Sequence, residues 1–158
     1  MKKLSLLTIG LFSCAMVAML ALGNLPGCGG DSCGGACDCQ GTECTCPASG
    51  DCAISCSAQC DLQCAGSGHC DFTCGNDCLA ACTGSGSCTV SVGAGSSVDC
   101  PGGNGCDVTC SGDCTVNCRG GGPCVVGCTA GSTCQITSCS GNVQSCPNDV
   151  QVCGGACP

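Results

Sequence analysis

The sequence contains no Trp, no Tyr, only two Phe and a single His, and charged residues make up 9% of its 158 positions. Each shortage excludes something. Aromatic side chains normally supply much of the area a core buries, so a conventional globular interior is ruled out. His69 stands alone in a Gly-rich stretch, which leaves no acid, base and nucleophile to assemble, and no enzymatic activity is expected. Three Lys or Arg face 11 acidic residues, whereas nucleic-acid binding needs a basic surface; nucleic acid is excluded as a partner. No two cysteines are separated by two residues, so zinc knuckles and redox C-x-x-C motifs are missing, and no cofactor is implied. What is abundant is 28 Cys and 28 Gly, together more than a third of the chain. That cysteine content lies well above the roughly 8–10% that marks a disulfide scaffold in an exported protein.

The N-terminus supports export. Met1, Lys2 and Lys3 precede an apolar run from Leu4 to Leu22, the order of a signal peptide. Leu25-Pro26-Gly27-Cys28 follows, and it resembles the lipobox of bacterial lipoproteins, with Pro26 in place of the small residue usual there. The resemblance implies a signal peptide over 1–27 and diacylglycerol on Cys28, with a second acylation giving stable membrane attachment. Leu11-Phe12-Ser13-Cys14 is a poorer box, because Phe12 is bulky and cleavage there leaves an apolar tail. Loss of Lys2 and Lys3 leaves Arg119 as the only Lys or Arg. Setting aside Cys14 and Cys28 leaves an even number of cysteines, which can pair completely in an oxidising compartment. The membrane, through the lipid, is the one partner implied; the expected location is a bacterial outer membrane or cell surface, with a secreted or periplasmic protein as the alternative.

From Cys52 the chain repeats. Cys52, Cys70, Cys88, Cys106 and Cys124 are each 18 residues apart, and Cys46, Cys64, Cys82, Cys100 and Cys118 form a parallel column. A short fixed period is the signature of a solenoid. Within Cys106 to Cys118 the alternation is strict, placing Cys and Val on one face and Asp107, Thr109, Thr115 and Asn117 on the other. The expected fold is therefore all-β: a small disulfide-rich parallel β-solenoid over 52–139 with 18-residue coils and two short strands per coil. Residues 28–51 are expected as a lipidated N-terminus and Cys-rich cap, and 140–158 as a C-terminal cap. Gly holds the second place of four long turns, at Gly66, Gly84, Gly102 and Gly120, as a positive φ would require.

Folding the two strands of a coil face to face predicts the disulfides Cys52 with Cys64, Cys56 with Cys60, Cys70 with Cys82, Cys74 with Cys78, Cys88 with Cys100, Cys106 with Cys118, and Cys110 with Cys114. The fifth coil adds Cys128 with Cys134 and, through a bulge, Cys124 with Cys139. In the third coil Val92 and Ser96 replace two cysteines that are predicted partners, so both are lost together. Bridges between neighbouring coils fit strand spacing, but the three-membered column Cys60, Cys78 and Cys114 cannot pair within itself. In the chain-entropy model each short closure contributes about 2–3 kcal/mol, which together replace the missing core.

Three further resemblances are local. Cys37-Asp38-Cys39 and Cys44-Thr45-Cys46 are similar to the C-x-C pairs of metallothioneins, which implies a thiol-rich metal-binding alternative if the cysteines are reduced. Gly102 to Asp107 matches the start of the calcium-binding β-roll nonapeptide once, with neighbouring repeats breaking it, so no metal ligands are assigned. The repeats resemble the disulfide-laced solenoids of insect antifreeze proteins: Ser55, Thr73, Ser91 and Thr109 form an outward hydroxyl column. Its companion, Ala53, Asp71, Thr89, Asp107 and Val125, is irregular, so ice binding is a lesser alternative. The leading expectation is a non-enzymatic structural or interaction protein of a bacterial envelope.

Overall fold

The computed structural model describes residues 38–158. The leader, the Cys28 lipobox, Cys33 and Cys37 lie outside the described residues. Among the described residues there is no helix; fourteen strands follow in order. They are β1 (Asp38–Gln40), β2 (Glu43–Thr45), β3 (Cys52–Ala58), β4 (Asp61–Cys64), β5 (Cys70–Asn76), β6 (Leu79–Cys82) and β7 (Cys88–Val92). Then come β8 (Ser96–Asp99), β9 (Cys106–Cys110), β10 (Cys114–Cys118), β11 (Cys124–Cys128), β12 (Cys134–Cys139), β13 (Val143–Cys146) and β14 (Val150–Cys153).

From β2 to β13 successive strands alternate between two seven-stranded sheets, ordered β1-β2-β4-β6-β8-β10-β12 and β13-β14-β11-β9-β7-β5-β3. This is the expected parallel solenoid. Cys52 pairs with Cys70, Cys70 with Cys88, Cys88 with Cys106 and Cys106 with Cys124 along one sheet. Ile54, Phe72, Val90, Val108 and Val126 stack in the same register two residues on. Alternation fixes which side is inside, because neighbouring side chains on a strand point to opposite faces. In β9 the cysteines and Val108 are buried while Asp107 and Thr109 are exposed. The opposite sheet contributes Leu62, Val98 and Val116, all fully buried. Sulfur and short aliphatics therefore form one continuous core, with Phe72 its largest member.

Both ends leave the parallel pattern. β1 turns back antiparallel on β2. β14 lies antiparallel to β11, and β13 antiparallel to β14. The register of β10 against β12 shifts between Val116 and Asn117, so that Asn117 sits beside Ser138. The extra residue of the fifth coil is absorbed in that bulge.

The glycine columns have a different cause from the one expected. Positive φ occurs at Gly50, Gly95, Gly105 and Gly131, not at Gly66, Gly84, Gly102 or Gly120. Those four are set by close approach. A Cβ on Gly84 would run into the Gly66 carbonyl oxygen, one on Gly102 into Gly84, and one on Gly120 into Gly102. Long turns stack backbone on backbone, and only hydrogen fits between them. In the short turns the left-handed place falls on Gln59 and Asp77, each at φ 57°, and on Gly95 at φ 74°.

Candidate functional site

The feature that concentrates chemistry in this molecule is its sulfur. At each long turn a Cys ends or directly follows a strand of one sheet, and the next strand, in the other sheet, begins with Cys. The structure joins these: Cys46 with Cys52, Cys64 with Cys70, Cys82 with Cys88, Cys100 with Cys106 and Cys118 with Cys124. Their Cα separations run from 5.8 to 6.3 Å, within the range a disulfide requires. At the short turns Cys56 joins Cys60, Cys74 joins Cys78 and Cys110 joins Cys114, and in the fifth coil Cys128 joins Cys134. The result is two ladders, one along each rim where the sheets meet.

The short-rim pairs coincide with those read from facing strands. The long-rim pairs correct it: Cys52 does not bond Cys64, nor Cys70 Cys82, Cys88 Cys100, or Cys106 Cys118. A coil is helical, so Cys64 at the end of β4 stands at a height between Cys52 of its own coil and Cys70 of the next. The long turn delivers the chain directly to Cys70, and closure there spans 6 residues. Cys124 likewise bonds Cys118, not Cys139; Cys139 instead bonds Cys153 on β14, which covers the end of the core. A signal for this was present. The columns beginning at Cys46 and Cys52 have equal membership, and they pair without remainder only when Cys46 takes Cys52 and the C-x5-C spacing is used throughout. Cys46, which falls in the expected N-terminal cap, is the member that completes the first column.

In the third coil the short-rim bridge is replaced by two buried side chains, Val92 and Ser96, each 2% exposed. Ser96 Oγ accepts the Cys78 backbone N–H at 3.1 Å and donates to the Gly75 carbonyl at 3.3 Å. The hydroxyl thus ties the third coil to the second where a disulfide would have closed the turn.

Cys44-Thr45-Cys46 is divided between two disulfides, Cys39–Cys44 and Cys46–Cys52. Four groups of three cysteines hold their sulfurs within 4.8 Å of one another: Cys56, Cys60 and Cys74; Cys64, Cys70 and Cys88; Cys82, Cys100 and Cys106; Cys110, Cys114 and Cys134. That is a soft-metal donor set only if reduced, and each group contains a closed bridge.

The outer faces carry ordinary polar contacts. The His69 ring meets Ser87 Oγ at 2.8 Å and Thr89 Oγ1 at 3.4 Å, and its backbone N–H donates to Asp51 Oδ1 at 3.0 Å. No carboxylate is hydrogen-bonded to the ring among the described residues, so Asp51 does not orient it as a catalytic base would require. Arg119 pairs with Asp99 at 3.3 Å, both more than 40% exposed. Asn104, in the segment similar to a β-roll, spends its side-chain amide on the Ser85 carbonyl. Asp113 accepts the Thr133 backbone N–H at 2.7 Å across the recess beside Ser96. Ser55, Thr73, Ser91 and Thr109 do stand in one register column, ending at Gly127.

Neither protein-family models, nor curated protein sequences, nor solved structures match this chain. Its class rests on its own geometry: a disulfide-rich, cysteine-repeat β-solenoid, built for an oxidising compartment and not the cytoplasm.

Proposed function

We propose that the chain is an exported, non-enzymatic structural or interaction element of a bacterial envelope, held to the membrane by lipid on Cys28. One observation carries the structural part: among the described residues every cysteine is consumed in a disulfide, so sulfur serves as cross-link and not as reagent. The signal-like leader and the lipobox resemblance support the export and anchoring. Acidic residues keep the outer faces soluble. Radiolabelled palmitate fed to expressing cells should enter the wild-type protein and not the Cys28→Ala variant; unlabelled wild type refutes the anchor. Peptide mapping of the purified protein without reductant should return the linked pairs above, and free thiols throughout would refute the structural reading.

A second reading, a thiol-rich metal-binding protein, is favoured by the four three-sulfur groups. It requires reduced cysteines. Metal retained by protein purified from the native envelope, in proportion to free thiol, distinguishes it.

A further inference from the structure

Stacking disulfides at strand spacing brings sulfurs of different bridges within reach of each other. Cys88 Sγ lies within 4.8 Å of both sulfurs of the Cys64–Cys70 bridge, and Cys82 Sγ within 4.8 Å of both sulfurs of Cys100–Cys106. Cys82 and Cys88 are partners. The central bridge therefore presents one sulfur to the coil before it and the other to the coil after it. Cys88 is the register neighbour of both Cys70 and Cys106. Parallel strands lie about 4.8 Å apart, inside the Cα range a disulfide tolerates, so an inter-coil bridge fits the existing backbone.

The other rim lacks this continuity. Cys74 Sγ approaches the Cys56–Cys60 bridge and Cys134 Sγ approaches Cys110–Cys114, but Val92 and Ser96 occupy the position between them. That rim is two separate pairs of bridges.

We propose that the long-turn ladder supports intramolecular thiol–disulfide exchange from coil to coil. A thiolate at Cys88 attacks the Cys64–Cys70 bond, forms a new S–S bond to one of these sulfurs and expels the other as thiolate. A thiolate at Cys82 does the same to Cys100–Cys106. One S–S bond forms and one breaks, the negative charge moves to the leaving sulfur, and no net oxidation or reduction occurs. The first thiolate arises when an external dithiol reduces the central bridge, the dithiol itself becoming a disulfide. A bridge broken in mid-rod is then passed along the rim, while a break on the short rim cannot cross the third coil. The inference rests on the oxidised, structural reading of sulfur above.

Two single substitutions test it, because each removes the same bridge but leaves a different sulfur unpaired. Cys82→Ser and Cys88→Ser proteins, oxidised and purified, are held at about pH 9, where thiolate is plentiful, then denatured, alkylated and mapped. In Cys82→Ser the label should appear at Cys64 or Cys70, with Cys88 in a new bridge. In Cys88→Ser it should appear at Cys100 or Cys106, with Cys82 in a new bridge. Label confined to Cys88 and Cys82 overturns the proposal, and so does one common spread of label in both variants, which is scrambling through unfolding. If either variant folds poorly, wild type treated with one equivalent of dithiothreitol should yield peptides linking Cys88 to Cys64 or Cys70; linkages only between native partners overturn it. Wild type alkylated under denaturing conditions without reductant separates the two failures: extensive labelling sinks the disulfide reading itself, whereas unlabelled wild type with immobile thiols in the variants sinks exchange alone.

Discussion

Ser96 is the only buried polar side chain among the described residues, and it stands where the repeat elsewhere places a cysteine. Restoring the bridge with Val92→Cys and Ser96→Cys sets two effects against each other. Closing a loop of this length stabilises by about 2 kcal/mol in the chain-entropy model. Removing the hydroxyl leaves the Cys78 N–H without the partner it now has, while the Gly75 carbonyl keeps the Gly93 N–H, and a buried donor left unsatisfied costs about 1–3 kcal/mol. The double variant should therefore remain within about 1 kcal/mol of wild type, while Ser96→Ala alone loses about 1–3 kcal/mol. Guanidinium unfolding of the oxidised proteins, followed by far-ultraviolet circular dichroism, reads both. A double variant stabilised by the full closure term, together with a neutral Ser96→Ala, would refute the claim that this hydroxyl substitutes for the missing cross-link.

The glycine column gives a sharper contrast. Gly84→Ala drives a Cβ into the Gly66 carbonyl and should cost about 1–3 kcal/mol as overpacking, whereas Gly103→Ala meets nothing within 4 Å and should stay within about 0.5 kcal/mol; the same denaturation measurement compares them. Phe72→Ala, which empties the largest fully buried side chain, should lose about 3–5 kcal/mol, and a loss below 1 kcal/mol would show that the coils collapse around the void. Arg119→Ala removes an exposed ion pair and should change stability by less than about 1 kcal/mol, with no added sensitivity to salt.

Strand positions, coil length and the inward face were legible because one signal, cysteine at a fixed period with strict alternation, specifies all three. Phe72 and Val108 could be placed inside from their position midway between cysteines, and they lie there fully buried. Disulfide connectivity on the long rim was not legible from facing strands alone. In a helical coil each rim cysteine has one candidate partner half a turn behind and another half a turn ahead, and alternation does not distinguish them. Loop length does, since closure across the five-residue turn from Cys64 to Cys70 costs less chain entropy than the longer closure from Cys52 to Cys64. The glycine columns were recognisable, but their cause was not, because crowding between turns 18 residues apart is a property of the stack and not of any single turn. Ser96 read as a lost cysteine; its two hydrogen bonds to the preceding coil exist only once the coils are superposed.

The disulfide pairing has a mechanical meaning. From Cys46 to Cys134 each bridge joins a cysteine to the next one in the chain, across a turn between the two sheets, so none of these ties together strands stacked within a sheet, whereas Cys39–Cys44 links the antiparallel neighbours β1 and β2. Cohesion between coils is left to the parallel hydrogen-bond ladders and the core column of Ile54, Phe72, Val90, Val108 and Val126. In a one-dimensional array, stability is a sum of terms within each repeat and terms between neighbours, and here the disulfides fall almost entirely in the first class. The C-terminal end departs from this: Cys139–Cys153 spans 14 residues and Cys146–Cys157 spans 11, each skipping an intervening cysteine. The first of these fastens the end strand of one sheet to the antiparallel cover of the other. The rod is thus a stack of individually stapled turns clamped at its C-terminal end, which is where an otherwise open core would begin to peel.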